Sequence, residues 1–554
     1  MDVVVRRRRC LPAALAMILL ALALPLLAKA QTSPDMDLID RFDALQAGYA
    51  ISLDGEVLIA RQTLRRFYER EGFRLVWTDA DQRRALADAV LALDGDGLNP
   101  QDYHGPVLDQ LAQTPDDELT DGHRADRDLL FTDAFLMAAS HLAQGKVNPE
   151  SIHAEWTAAR PQIDLAEALA QALASGDPAD ALNRLRPNNE DYHRLMRARE
   201  RLAALADAPW PVLPPGPAIK PGSTDERLVA IRDRLMALGD LHAVTTDADA
   251  GDPLADPMAY DLDLEAAVRR FQARHGLDDD GVIGKGTLAA LNLSPKARID
   301  QIDASLERWR WLPDSLGENY VLVNIAGFNL ALVQGGQTVL ASRVIVGRPY
   351  RQTPVFSDQI RYLVLNPTWT VPRKLMIQDQ LPMIRKDPSY FSRLNMQVYS
   401  GWGADRQRVD PQTIDWGALS KNHFPYQLVQ GPGALNALGR VKFMFPNKYD
   451  VYLHDTPARE LFGKSSRGFS SGCIRVEKAA ELAQQLLGWS GEQWSEALQE
   501  ANTRTVMLPA PLPVHIQYWT AWVDDAGVIQ FRDDLYERDP RLLQQLHQAP
   551  REAG

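Results

Sequence analysis

Cys473 is the side chain best placed to do chemistry. The chain has two cysteines, Cys10 and Cys473. Cys10 falls inside an N-terminal export segment, so one thiol is left in an oxidising compartment with no intramolecular disulfide partner. A chemical role then competes with the bland alternative of a buried, inert cysteine. Cys473 stands in Ser470-Ser471-Gly472-Cys473-Ile474-Arg475. It is expected between a glycine turn and an amphipathic helix on which Val476, Ala479, Ala480, Ala483, Leu486 and Leu487 share a face. A thiol just before a helix N-terminus meets the positive end of the macrodipole, which favours thiolate. Gly472 lets the backbone approach a carbonyl closely, and the N–H groups of Gly472 and Cys473 are the candidate oxyanion donors.

A thiolate nucleophile needs a base, and His454 in Tyr452-Leu453-His454-Asp455-Thr456 is the candidate, at the end of a strand. Successive strand side chains point to opposite faces. The backbone carbonyl of Asp455, rather than its carboxylate, is therefore expected to accept the imidazole N–H. Four residues are assigned to substrate binding: Arg475, Ser471, Ser470 and Trp369. Arg475 either forks onto a substrate carboxylate or locks the site through a salt bridge. Trp369 is either core or a substrate platform. No His-x-x-x-His or paired-cysteine spacing supplies converging metal ligands, so neither a metal nor another cofactor is expected.

The elements that must position these residues read as a multidomain α+β chain. Residues 320–510 carry a mainly β domain, a sandwich or partly open barrel. Its strands are expected at Tyr320–Ile325, Phe328–Gln334, Thr338–Val346, Ile360–Leu365, Gln427–Gln430, Arg440–Phe445 and Val451–His454, with Gly335-Gly336 as a hairpin turn. The strand pattern lapses over about 373–426, an insertion expected to cap the site. Residues 511–554 form a C-terminal extension with an aromatic, strand-like pattern around Trp519 and Trp522.

Upstream, residues 35–208 read as a helical scaffold, with apolar residues three or four apart in Gln62–Gly72, Arg83–Leu93, Arg127–Leu142 and Leu165–Ala174. His104, His123 and His141 look isolated there, and no catalytic constellation is apparent. Six prolines in 209–223 read as a semi-rigid linker. Residues 225–293 form a small helical module with turns at Gly276, Gly281 and Gly284, an inserted polar stretch at 242–260, and Thr287 starting its last helix.

Arg6 to Arg9, the apolar run Leu11–Leu27 and Ala28-Lys29-Ala30 make residues 1–30 an export signal cleaved before Gln31; left uncleaved, it would anchor the chain in a membrane. The formal net charge is −13, and losing this arginine-rich segment makes the remainder more acidic. Nucleic acid is thereby excluded as a partner, for no basic footprint remains.

His454 followed nineteen positions later by Cys473 in Ser-Ser-Gly-Cys-Ile-Arg resembles the signature of the L,D-transpeptidase (YkuD-type) catalytic domain. Asp455 stands where many members have glycine. Asn366-Pro367-Thr368-Trp369 and Leu453-His454-Asp455-Thr456-Pro457 fit a long, multidomain Gram-negative branch. Residues 225–293 resemble the three-helix peptidoglycan-binding domain. The resemblance implies a periplasmic enzyme that joins peptidoglycan stem peptides by 3→3 cross-links through a thioester on Cys473, with His454 as base and acid. It also implies acylation by carbapenem-type inhibitors, and other wall-synthesis enzymes are candidate partners for residues 35–208. The same site would serve an L,D-carboxypeptidase or endopeptidase, or a ligase joining lipoproteins to the wall. The non-enzyme alternative is a wall-binding scaffold.

Overall fold

In the computed structural model, which describes residues 34–46, 52–53, 55–152, 163–242, 256–313, 315–387, 389–500 and 502–549, the amphipathic segments of the N-terminal part fold as helices. The export segment lies outside the described residues. Helices Arg61–Glu71, Ala80–Leu91 and Leu165–Ser175 pack around Asp121–Gln144, which is buried along most of its length. Asp79, Thr120 and Asp164 cap three of these helices by accepting backbone N–H groups.

The histidines here are not isolated. Buried His104 meets Glu56 through Nδ1 and Asp133 through Nε2, each at 2.9 Å. Asp133 also accepts the N–H groups of Ile59 and Ala60. His141 Nδ1 lies 2.8 Å from the Tyr103 hydroxyl. Only His123 has the local role of a helix-end residue, beside Thr120. These contacts knit the scaffold rather than build a site.

The proline-rich segment is docked, not free. Trp210 donates to the Leu291 carbonyl, Leu213 N–H to Asn292, and Ile219 bridges to Ile283. It therefore covers one side of the module built by helices Arg227–Ala237, Leu262–Arg274 and Lys285–Asn292. Thr287 lies inside the last helix, buried against Gln272, because Lys285 already begins the turn. Most of the polar insertion falls outside the described residues.

Helix Pro295–Arg310, unanticipated from the sequence, runs from this module to the β domain. Its Glu307 is fully buried and accepts from Arg310, Trp311 and Val147 N–H. Arg310 in turn donates to the Asp96 carbonyl and to Tyr192. One buried charge pair thus ties the helix to the scaffold.

The β domain is built from nine strands: β1 (Tyr320–Asn324), β2 (Asn329–Gln334), β3 (Gln337–Gly347), β4 (Phe356–Leu365), β5 (Val441–Met444), β6 (Leu453–His454), β7 (Gly468–Ser470), β8 (Ile474–Val476) and β9 (Arg504–Gln517). Their order is β7-β3-β8-β6-β5-β4-β9-β1-β2, and β2 also pairs with β3, so the ring closes. Closure removes the unpaired edges an open barrel would expose. β9 runs unbroken through the boundary placed at 510. Pro509, Pro511 and Pro513 cannot donate to a ladder; the register shift between Met507 and Leu512 accommodates the first two, and Pro513 keeps its place opposite Gln359.

The insertion is a domain-like cap with its own sheet and core. Strands Trp369–Thr370, Tyr426–Gln430, Met396–Ser400 and Gln407–Val409 pair in that order, with Val371, Met376, Leu381, Val398 and Leu428 packed beneath. The sheet begins at Trp369 and ends at Gln430, a few residues beyond the expected limits on each side.

Candidate active site

Cys473 sits in a tight connection between β7 and β8, not before a helix. The residues after it alternate as a short strand, Ile474–Val476, and the helix begins only at Ala479. A macrodipole acts within about one turn of its end, so it does not act on this thiol. Gly472 has φ +119°, a conformation only glycine enters freely. Its N–H donates to Ser470 Oγ at 3.1 Å, and Ser470 Oγ donates to the Cys473 carbonyl at 2.5 Å. The Gly472 carbonyl accepts from Thr353 Oγ1 at 2.8 Å. Two sequence assignments change as a result. Gly472 N–H is already used and is not a free oxyanion donor, and buried Ser470, though part of the cavity lining, spends its hydroxyl on holding the turn. Ser471 is exposed and accepts from Arg351, which also grips Asp379 of the cap at 2.6 Å.

His454 is buried on β6, and its Nδ1 lies 2.6 Å from the Asp455 carbonyl oxygen. A carbonyl only accepts, so Nδ1 carries the proton and Nε2 keeps its lone pair. The Asp455 carboxylate turns to the other side, where it accepts Arg440 N–H at 2.9 Å and pairs with Arg459. Burial, then Arg475, drive the imidazole down to about 3, leaving His454 neutral. Burial pushes the Cys473 thiol up from its ordinary value, while the Tyr452 hydroxyl, Lys442 and Arg475 pull it back. Sγ lies 3.8 Å from the Asp450 carbonyl. Asp450 itself has φ +53° in a turn cross-braced by Asn447.

Cys473 and His454 share a cavity of ≈520 Å³ walled by Tyr452, Arg348, Arg351, Arg475, Trp369 and cap residues including Lys374 and Asp379. Arg475 forms no salt bridge among the described residues, and its buried Nε has no partner. Its charge therefore faces the cavity, disfavoured by burial and by neighbouring Arg348. Trp369 packs on the cap core and also lines the cavity. Tyr452, Arg348 and Asp450 were missed in the sequence. Tyr452 stands two residues before His454, and strand alternation alone could have placed it on the same face.

Residues 318–516 match the family model described as the L,D-transpeptidase catalytic domain, and 224–291 match that of a peptidoglycan-binding domain. The chain carries an L,D-transpeptidase catalytic domain. Residues 62–198 match a model described as a scaffold domain. Over 253 residues the chain is 37% identical to a Haemophilus influenzae protein named as an L,D-transpeptidase; the match covers 45% of this chain, and the chain spans half the length of that relative. Among solved structures, an L,D-transpeptidase from Xylanimonas cellulosilytica is 16% identical over 55% of this chain and 99% of that one, at TM-score 0.18. One from Mycobacterium smegmatis is 12% identical over 36% and 58%, at TM-score 0.16. At these scores the overlays add nothing to the family match.

Proposed function

We propose that the chain cross-links peptidoglycan, with Cys473 as nucleophile and His454 as its base and acid. The carrying observation is that the free Nε2 edge of a neutral, anchored imidazole and Cys473 share one cavity. Sγ attacks the carbonyl of the third, L-configured centre of a tetrapeptide stem. The C–N bond breaks, terminal D-alanine leaves with a proton from His454, and a thioester remains. The side-chain amine of a diaminopimelate on a neighbouring stem then attacks the thioester. It gives up its proton to His454, and Cys473 is released with a 3→3 link formed. Stem identity and bond positions follow from the family resemblance.

The Cys473 N–H is the donor left for the oxyanion once Gly472 N–H is committed to Ser470, and Tyr452 stands beside it. The unpaired fork of Arg475 suits a stem carboxylate. The cap excludes water and so favours amine over hydrolysis. Export to the periplasm, wall binding by residues 224–291 and docking of other wall enzymes on residues 62–198 belong to the same reading. Carbapenem-type inhibitors would acylate Cys473 and add a covalent mass.

The test is incubation of the purified chain, beside Cys473→Ala, with disaccharide-tetrapeptides, read by mass spectrometry. Cysteine-dependent dimers lacking one D-alanine are expected. Trimmed monomers without dimers would move the activity to L,D-carboxypeptidase. Dimers made equally by Cys473→Ala would overturn the nucleophile.

A further inference from the structure

Three neighbouring strands set three nitrogen-bearing side chains in a row. Lys442 on β5 is the register partner of His454 on β6, and His454 is the register partner of Arg475 on β8. Register partners share a face, so all three side chains leave the sheet on the side of Cys473. Arg475 and His454 wall the cavity, whereas Lys442 does not. Its Nζ stands 4.3 Å from the centre of the Tyr452 ring, against the face that aromatics present to cations. Tyr452 in turn lines the cavity beside Cys473, where its hydroxyl favours the thiolate. Lys442 is half-buried and forms no salt bridge with a described carboxylate, so nothing nearby cancels its charge. Screened from the cavity by the ring, that charge is not available to grip a substrate.

We infer that Lys442 is a positioning residue whose ammonium, held behind Tyr452, stabilises the Cys473 thiolate and keeps the resting His454 neutral, ready to take the thiol proton that it later gives to the leaving amine. The inference rests on Cys473 being the nucleophile. It supplies, from across the sheet, the positive field that the distant helix terminus cannot. The field acts in one direction on both partners: a cation nearby favours a charged thiolate and disfavours a charged imidazole. The other groups facing Cys473 are Tyr452 and His454 from β6 and its approach, Arg475 from β8, Arg348 and Arg351 from the β3–β4 loop, Asp450 from the turn before β6, and Lys374 and Asp379 from the cap. The arginines stay charged throughout the working range. His454, driven down to about 3, stays neutral there. The thiol, Lys442 and the cap's Lys374 are then the groups left to set the profile, and burial lowers Lys442, so its influence fades at the alkaline end; Lys374 is common to every variant compared.

The experiment follows alkylation of Cys473 by iodoacetamide from pH 6 to 10, read by intact mass, in the full chain and in Lys442→Met, Lys442→Gln and Lys442→Arg, with thermal denaturation alongside. Loss of the cation should move the alkylation inflection up by about one pH unit and slow the reaction near neutrality about tenfold. Lys442→Arg should stay within about threefold of the parent, since it restores charge with a different shape. A profile in Lys442→Gln or Lys442→Met that superimposes on the parent's would overturn the inference. So would Lys442→Arg failing as badly as the neutral variants, which would make packing and not charge the role of Lys442. Failure of the nucleophile assignment looks different: Cys473→Ala would still make dimers, whatever the alkylation profiles show.

Discussion

Ser470→Ala removes one hydroxyl that makes two bonds inside the nucleophile turn. Ser470 is 3% exposed, and its Oγ joins Gly472 N–H at 3.1 Å to the Cys473 carbonyl at 2.5 Å. Alanine leaves both backbone groups without that partner. Each unsatisfied buried group costs about 1–3 kcal/mol, so the turn should lose about 2–4 kcal/mol after partial relaxation. In a unit of this size each kcal/mol shifts Tm by about 2–4 °C, which gives a fall of roughly 6–12 °C for about 3 kcal/mol. The catalytic consequence is sharper, because a displacement of about 1 Å at a reacting group can cost about 10²-fold in rate. The assay is the rate of cysteine-dependent dimer formation, measured beside iodoacetamide trapping of Cys473 and a thermal scan. Turnover within about threefold of the parent with an unchanged Tm would refute the reasoning. Faster turnover would refute it in a different way, by showing that a released Gly472 N–H joins the oxyanion site.

Other perturbations test neighbouring steps. Asp455→Asn should keep activity within about threefold, since the backbone carbonyl orients His454, while His454→Ala should lose about 10³-fold or more; similar losses in both would make the carboxylate the orienting group. Glu307→Gln leaves Arg310 buried without its countercharge, a cost of about 3–5 kcal/mol, visible as a lower urea midpoint; an unchanged midpoint would contradict the ledger of that pair. Acid should destabilise the chain through His141 and His454, both held down to about 3 by burial. Below about pH 6.5 the unfolded imidazoles take up protons that the folded ones refuse, so each costs about 2 kcal/mol at pH 5. His104, raised by Asp133 and Glu56 against its burial, works the other way: its contribution is present below the unfolded pKa and fades as pH rises through the folded one. Denaturant midpoints at pH 8 and pH 5 decide the balance, and equal midpoints would contradict the prevailing role of His141 and His454.

Periodicity carried the helices and most strands into view because it is local. Leu165–Ala174 became Leu165–Ser175, and Gly335-Gly336, with φ +57° and +73°, forms the tight turn its composition suits. What escaped depends on distant partners. Helix Pro295–Arg310 is buried on nearly every side, so it shows no single apolar stripe, and its charges read as surface until Asp303, Glu307 and Arg310 find partners. Of the cap sheet only Tyr426–Gln430 was legible, and it read as a strand of the β domain; the other strands run two to five residues, too short for alternation to register. β9 escaped in part because three prolines argue against a strand unless a bulge is granted.

The site divides along the same line. Cys473, His454 and the Asp455 carbonyl are near one another in sequence or carried by a motif, and their placement needed only a strand and a turn. Ile474-Arg475-Val476 is compatible with the first turn of a helix or with a strand, and reading it as helix put a macrodipole beside the thiol where none acts. Correcting that element removes the supposed source of thiolate stabilisation, yet the thiol is pushed upward by burial and still has to ionise. On the inference above, the compensation comes from charges brought in by register, beside the Tyr452 contacts. Lys442 and Arg475 flank His454 only because β5, β6 and β8 pair as they do. A one-residue slip of β5 would turn Lys442 to the opposite face and withdraw its charge from the thiol while leaving every letter of the cysteine motif intact. On the proposed reading, then, the motif marks the nucleophile, whereas the strand pairing sets how readily it ionises.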